Sequence, residues 1–373
     1  MIEIKEVKTK KDQRLFVDFP IKLYKNCPYY VPNLRSDELA LFSPKKNVSY
    51  SDCDIVFYLA YKNDEVVGRI CGIEQKLYNE KQNEKRVRFT RFDFIKDIEV
   101  AKALLDAVEK WAKNKDMKIV HGPLGFNDLD REGLLVEGFD EVSTFEADYS
   151  YPYYAEFLEK LGYKKEVDWL EFKIYPPKEL NERINRLSDA VLKRFKLSIV
   201  EEKNMATYLK NYAEGIFETI DEAYGELYGV IPYTKPLQEQ IIKKFKLMLS
   251  LDCIVTILDE NQKVVAFGLA LPSLAEAVKK SNGRLTPAGI FRLLKAKKKM
   301  KILDFGLIAV RPKYQGKGLT AIIIKQMLAQ VRKYNLEYCE TNHSLETNQK
   351  ILLTWKNFEH KQNRRRRCYM KNI

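Results

Sequence analysis

Six consecutive residues carry the clearest chemical signal in this chain, Gln315-Gly316-Lys317-Gly318-Leu319-Thr320. They join an apolar, strand-like run (302–310) to an amphipathic, helix-like run (319–334). A turn of this kind leaves the first main-chain N–H groups of the helix free, and the helix dipole favours negative charge there. Two glycines let the backbone come close to a ligand, and no acidic side chain stands in the way. A phosphate or pyrophosphate suits this geometry best. An ordinary strand-to-helix turn has the same Gly-x-Gly spacing, so the dipeptide pattern alone does not decide.

The elements that position this turn read as an α+β chain built twice. The first half runs as a strand (2–7), a hairpin (54–61 and 65–74), a strand (86–94), a helix (98–113), a short strand (117–120), a helix (153–161) and a strand (167–174). The hairpin turn is Lys62-Asn63-Asp64, and Asp97 is placed to cap the helix. Tyr175-Pro176-Pro177 breaks the pattern, and a polar helix follows. The second half repeats the order: hairpin (253–258 and 263–271), strand (302–310), helix (319–334), strand (336–341), helix (348–358), strand (365–371). The domain reading is therefore 1–176, a helical connector 177–196, and 197–373, each domain a mostly antiparallel mixed sheet flanked by helices.

Composition narrows the partners. The 373 residues carry a formal net charge of +13, which favours an anionic partner such as a nucleotide cofactor, an acidic substrate, tRNA or a membrane surface. Residues 277–303 hold nine Lys or Arg and no acid, which a solvated basic face would also explain. No apolar run is long enough for a membrane span, and the charged N-terminus is unlike a signal peptide, so a soluble cytoplasmic protein is expected. Six scattered cysteines without a C-x-x-C pair, and three histidines, indicate neither a disulfide framework nor a metal site. Cys71 and Cys253 fall in apolar strand patterns and read as core.

The stretch Val310-Arg311-Pro312-Lys313-Tyr314-Gln315-Gly316-Lys317-Gly318-Leu319 resembles the acetyl-CoA-binding motif of the GNAT acyltransferase superfamily, [Q/R]-x-x-G-x-[G/A]. By element order the first half resembles a GNAT domain too, and its Glu159-Lys160-Leu161-Gly162-Tyr163 is similar to that family's "x-K-x-G-F" ending. The pairing is similar to bacterial tandem-GNAT proteins. The resemblance implies acyl transfer from acetyl-CoA or another acyl-CoA to an amine. The backbone of Ile308, Ala309 and Val310 would hold the pantetheine arm, the loop Gln315–Thr320 the pyrophosphate, and Asn348 matches the family's motif Asn. Thr320 stands where the motif has Gly or Ala, and Trp355 where many members carry a Tyr that protonates the leaving thiolate. The first half has Phe94-Ile95-Lys96-Asp97-Ile98-Glu99 at the equivalent place. Its two carboxylates would repel a pyrophosphate, so one cofactor per chain is expected, in the second half.

Acyl transfer needs a base for the amine proton and donors for the oxyanion. The resemblance places an oxyanion donor in the backbone of residues 308–310. Base candidates are Asp304, Glu340 and Asn342 on the two strands that splay in this family, with Glu340 preferred because burial raises a carboxyl pKa. An outward-facing Glu on a short strand is the competing reading; His343 could also serve as a base but reads more simply as a surface residue. For the acceptor, Tyr224 and Tyr228, with Tyr233, precede the second hairpin, and Asn127 and Asp128 lie in a glycine-rich loop that could face an interdomain cleft. Arg364 to Arg367 reads as a solvated terminal strand. An aminoacyl-tRNA-dependent transferase and a non-catalytic acyl-CoA-binding module are the alternatives.

Overall fold

A computed structural model describes residues 1–177 and 182–373; part of the 177–196 connector thus lies outside the described residues. The described strands are β1 (Ile2–Glu6), β2 (Cys53–Lys62), β3 (Glu65–Gln75), β4 (Arg86–Phe94), β5 (Ile119–Gly122), β6 (Leu134–Glu137) and β7 (Lys164–Tyr175), then β8 (Ser198–Ile199), β9 (Ile254–Leu258), β10 (Val264–Pro272), β11 (Ile302–Val310), β12 (Tyr338–Thr341), β13 (Ser344–Leu345) and β14 (Glu359–Asn372). They form a single mixed α+β sheet, in the order β1-β2-β3-β4-β5-β14-β7-β12-β11-β10-β9-β8.

That order contains a reciprocal exchange. By chain order β7 would close the first half beside β5, and β14 the second beside β12. Instead β14 pairs with β5, and β7 pairs with β12. The two exchanged strands then pair with each other, antiparallel, from Glu359 opposite Tyr175 to Met370 opposite Lys164. Each half is completed by the other's last strand.

Charge explains why these two strands meet. Arg364 and Arg366 are fully buried on one face and converge on Glu171. On the other face Arg365 and Arg367 converge on the buried Asp168. A buried guanidinium needs a carboxylate partner, and with the strands side by side Glu171 and Asp168 reach all four arginines. The solvated strand expected for Arg364–Arg367 is thereby corrected. Successive arginines face opposite sides of the strand, and both sides are covered.

Helices fill both layers by ordinary amphipathic logic. The helix Leu319–Tyr334 buries Leu319, Ile322, Ile323, Met327 and Val331 against β9–β12, each side chain contributing roughly 1.5–3 kcal/mol. A Cβ on Gly268 of β10 would lie 2.3 Å from Ile323, so glycine is what lets helix and sheet approach. In the first half, Ile98–Lys113 buries Val100, Leu104 and Val108, and Asp97 accepts from the Glu99 N–H at 3.0 Å. That carboxylate closes the helix start to anions.

Candidate active site

Parallel pairing of β11 with β12 runs from Ile302 opposite Tyr338 to Phe305 opposite Thr341, and stops there. Beyond it β11 continues to Val310 beside β10 alone, with an irregularity that leaves Gly306 out of register. The strands therefore fork after Phe305. Asn342 sits in the base of the fork, its amide nitrogen donating to Gly306 O at 3.3 Å. Farther out, the Tyr224 hydroxyl accepts from Ile308 N–H at 3.2 Å and donates to Ile308 O at 2.8 Å. The main-chain groups expected to meet a pantetheine arm thus have no partner on β12, and a tyrosine already uses one pair of them.

The loop after β11 keeps the character read from its sequence. Gly316 and Gly318 have φ of +74° and +86°, which glycine adopts at no steric cost. A Cβ on Gly316 would meet nothing within 4 Å, whereas one on Gly318 would lie 3.0 Å from Val191. The N–H groups of Gln315 and Lys317 are used within the turn. Those of Gly316, Gly318, Leu319 and Thr320 have no turn partner, and no side chain caps the helix. Lys317 lies against the rings of Phe195 and Tyr314, 5.5 and 5.6 Å from their centroids, holding a cation at the loop. Gln315 donates to Val310 O at 3.1 Å and accepts from Lys350 at 2.8 Å, bracing turn against strand. These residues fit a pyrophosphate: free donors, open space, a cation and no carboxylate.

A cavity of about 280 Å³ opens on the inner side of the fork. Helix Met205–Tyr224 supplies one wall through Leu209, Ala213, Ile216, Phe217, Ile220 and Tyr224, spaced three and four residues apart. The floor is β10 and β11, through Phe267, Leu269, Leu271, Phe305 and Leu307, and Leu249 lines the cavity as well. Near the fork it meets Asn342, His343 and Asn348. Trp355 lies there as well, stacked on Phe305 at 5.6 Å with its indole N–H buried and unpartnered. A water needs roughly 10–15 Å³ of such space, so on the order of twenty would fit; an acetyl group needs far less.

The first half contributes two carboxylates to the polar edge, and the second half a tyrosine. Asp128, Glu132 and Tyr228 line the cavity. Asp128 accepts from Tyr233 at 2.7 Å while its Oδ1 is buried without a partner, and burial pushes its pKa up to about 6. Glu132 is 8% exposed and without a hydrogen bond; burial, with Asp128 beside it, raises its carboxyl well above the usual range. Asn127 does not line the cavity. Its oxygen accepts from Leu129 N–H at 2.9 Å, so it shapes the loop. Tyr228 donates to Glu166 at 2.6 Å and lies 2.8 Å from His121 Nδ1. His121, Glu166 and Cys368 offer ligand-type atoms within 4.8 Å of one another, though Glu166 is already shared between Arg86 and Tyr228.

Of the three base candidates, Glu340 and Asp304 stand directly opposite each other on β12 and β11, outside the cavity lining. Glu340 is 6% exposed and bonded to Arg364 and Asn363. Burial, reinforced by the Glu340 charge, pushes Asp304 up to about 8. His343, read from sequence as a surface residue, is instead half-buried on the cavity wall. Its Nε2 lies 3.3 Å from Glu171, and burial lowers its pKa although Glu171 opposes this. Glu171 is buried too, yet Arg366 and Arg364 hold it well below the ordinary carboxylate range. Sequence reasoning set His343 aside as a surface residue and missed Glu132. The only trace was a polar residue inside each of two otherwise mixed loops.

Sheet order, exchanged last strands, fork and glycine turn together define a GNAT acyltransferase fold in its tandem form. Among solved structures, a tandem GNAT protein from the clavulanic acid biosynthesis pathway superposes over 100% of this chain and 98% of its own, with a TM-score of 0.58 at 10% identity. No protein-family model matches the chain. Two curated relatives align over most of their length: Protein YghO of Escherichia coli (strain K12), 26% identical across 91% of this chain and 87% of that protein, and Bacterial ceramide synthase of Caulobacter vibrioides, 25% identical across 83% and 80%.

Proposed function

We propose that this protein is an acyl-CoA-dependent N-acyltransferase acting on at least one long-chain, apolar substrate, with the CoA held by the second half of the chain. The observation that carries the reading is the apolar cavity meeting the strand fork: it offers room and walls for a hydrocarbon chain, which acetyl transfer would leave unused. The ceramide synthase similarity supports it, since a ceramide is an N-acylated long-chain amine.

In this reading a bound CoA thioester supplies the activated acyl group, held by residues 315–320 and the outer part of β11. Asp128 and Glu132, buried and in no ion pair among the described residues, bind the polar head of the amine acceptor. His343 takes the amine proton: burial keeps it neutral, and Glu171 behind it stabilises the imidazolium that forms. Trp355 can donate a hydrogen bond at the fork but cannot transfer a proton, so it does not replace the tyrosine of related motifs.

The test is release of CoA thiol from acetyl-CoA and from palmitoyl-CoA in the presence of a long-chain amine, with calorimetry for CoA binding alone. Faster turnover with palmitoyl-CoA is expected. Equal or better turnover with acetyl-CoA and a short amine would remove the long-chain element, and absence of CoA binding would remove the whole reading.

A further inference from the structure

The basic segment that acyl transfer leaves unused has a surface of its own. Its helix, Pro287–Lys298, buries Leu293 and turns Ile290, Phe291 and Leu294 outward. Phe291 is 67% exposed and Leu294 46%, and Leu285 just ahead of the helix is exposed too. Positions 290, 291 and 294 share one helical face. A phenylalanine and two aliphatic side chains held together in water are costly, and such a patch marks an interaction site. Around it Arg284, Arg292, Lys295, Lys298 and Lys299 are exposed and enter no ion pair among the described residues. Arg14, Arg35, Arg284 and Leu285 line a shallow groove beside the patch, which the Arg35 N–H braces by donating to Gly283 O at 2.8 Å.

The buried side of the helix points to the same conclusion. Leu293 packs in one cluster with Leu249, Leu271 and Leu274, and Leu249 and Leu271 also line the apolar cavity. One helix therefore stands between the cavity and a surface that combines hydrocarbon with positive charge.

We propose that this helix docks the protein on an anionic lipid bilayer, with Ile290, Phe291 and Leu294 among the acyl chains and the surrounding cations on the headgroups. A helix with exposed aromatic and aliphatic residues on one face and Lys/Arg around them has the composition of an interfacial helix. A nucleic acid would use the cations but leave Leu285, Ile290 and Leu294 in water. The docking stands on this surface and does not depend on the acyl-transfer reading; if both hold, a lipid substrate has a short path from bilayer to cavity.

Flotation of the full-length protein with vesicles tests it. Binding is expected to phosphatidylcholine vesicles containing about one third phosphatidylglycerol, and to fall when the anionic lipid is omitted or salt is raised. The variant Phe291→Glu/Leu294→Glu should lose at least about tenfold in vesicle partitioning. Its thermal midpoint should stay put because both side chains are exposed; Lys298→Gln/Lys299→Gln should weaken binding to the anionic vesicles alone. The proposal is overturned if the protein does not float, if the double glutamate variant binds like the parent, or if tRNA displaces it from vesicles at equal phosphate concentration.

Discussion

Arg364 Nη2 donates to Glu340 Oε2 at 2.9 Å, and the guanidinium is wholly buried. The same Arg364 also bonds Glu171 on the exchanged strand β7, so it ties β12, β14 and β7 together. Glu340 is therefore a structural anchor. Removing the charge in Glu340→Gln leaves a buried cation with one partner fewer, at an expected cost of about 3 kcal/mol. Denaturant unfolding should record that loss, while turnover per folded molecule stays within about threefold. A drop of several hundredfold with unchanged stability would restore Glu340 as the base.

The glycine turn separates cofactor binding from folding. Gly316→Glu places a carboxylate in open space at a helix start; its positive φ should cost about 1–2 kcal/mol, the fold should survive, and CoA affinity should fall at least about tenfold. Gly318→Ala meets a positive φ and a contact 3.0 Å from Val191, and should cost about 1–2 kcal/mol of stability as well. Calorimetry with CoA, read beside the thermal midpoint, checks both. Full CoA affinity in Gly316→Glu would place the pyrophosphate elsewhere.

What could be read in advance follows from where the information is local. The turn 315–320 declares itself because glycine, dipole and missing acids are all within six residues. The element order does so too, since periodicity is local. The exchange of β7 and β14 depends on charges nearly two hundred residues apart, Glu171 with Arg364 and Arg366, which no local pattern links. The stripe Leu209, Ala213, Ile216, Phe217, Ile220 has the spacing of an ordinary core helix, and sequence cannot distinguish a stripe packed on atoms from one facing a cavity. His343 is likewise visible only once Glu171 has been brought to it by the exchange.

Asp304 makes stability depend on pH in an unusual direction. Its folded pKa is raised to about 8 by burial and by Glu340, against an unfolded value near 4. The folded state thus binds this proton more tightly, and the contribution is present at low pH and lost as pH rises from about 4 towards 8. Asp304→Asn removes the titration, and should stabilise the protein by roughly 1–3 kcal/mol at pH 8 with little change near pH 4. Urea midpoints measured across that range decide it; a parallel shift at all pH values would show that Asp304 does not titrate there.

His343 and Asp128 should leave different marks on the pH–rate profile. His343 has a lowered pKa, so the parent's kcat should lose activity only as pH falls below about 6.5, when the imidazole is protonated. His343→Gln should reduce kcat by about 10²–10⁴ and abolish that limb, with the KM for the amine little changed. Asp128 ionises near 6, and its carboxylate is what would hold a cationic amine. Asp128→Asn should therefore raise the KM for the amine about tenfold above pH 6, with kcat nearly intact and the difference closing below pH 6. If Asp128→Asn lowers kcat and spares KM, the two residues exchange roles, and Asp128 becomes the group that takes the proton.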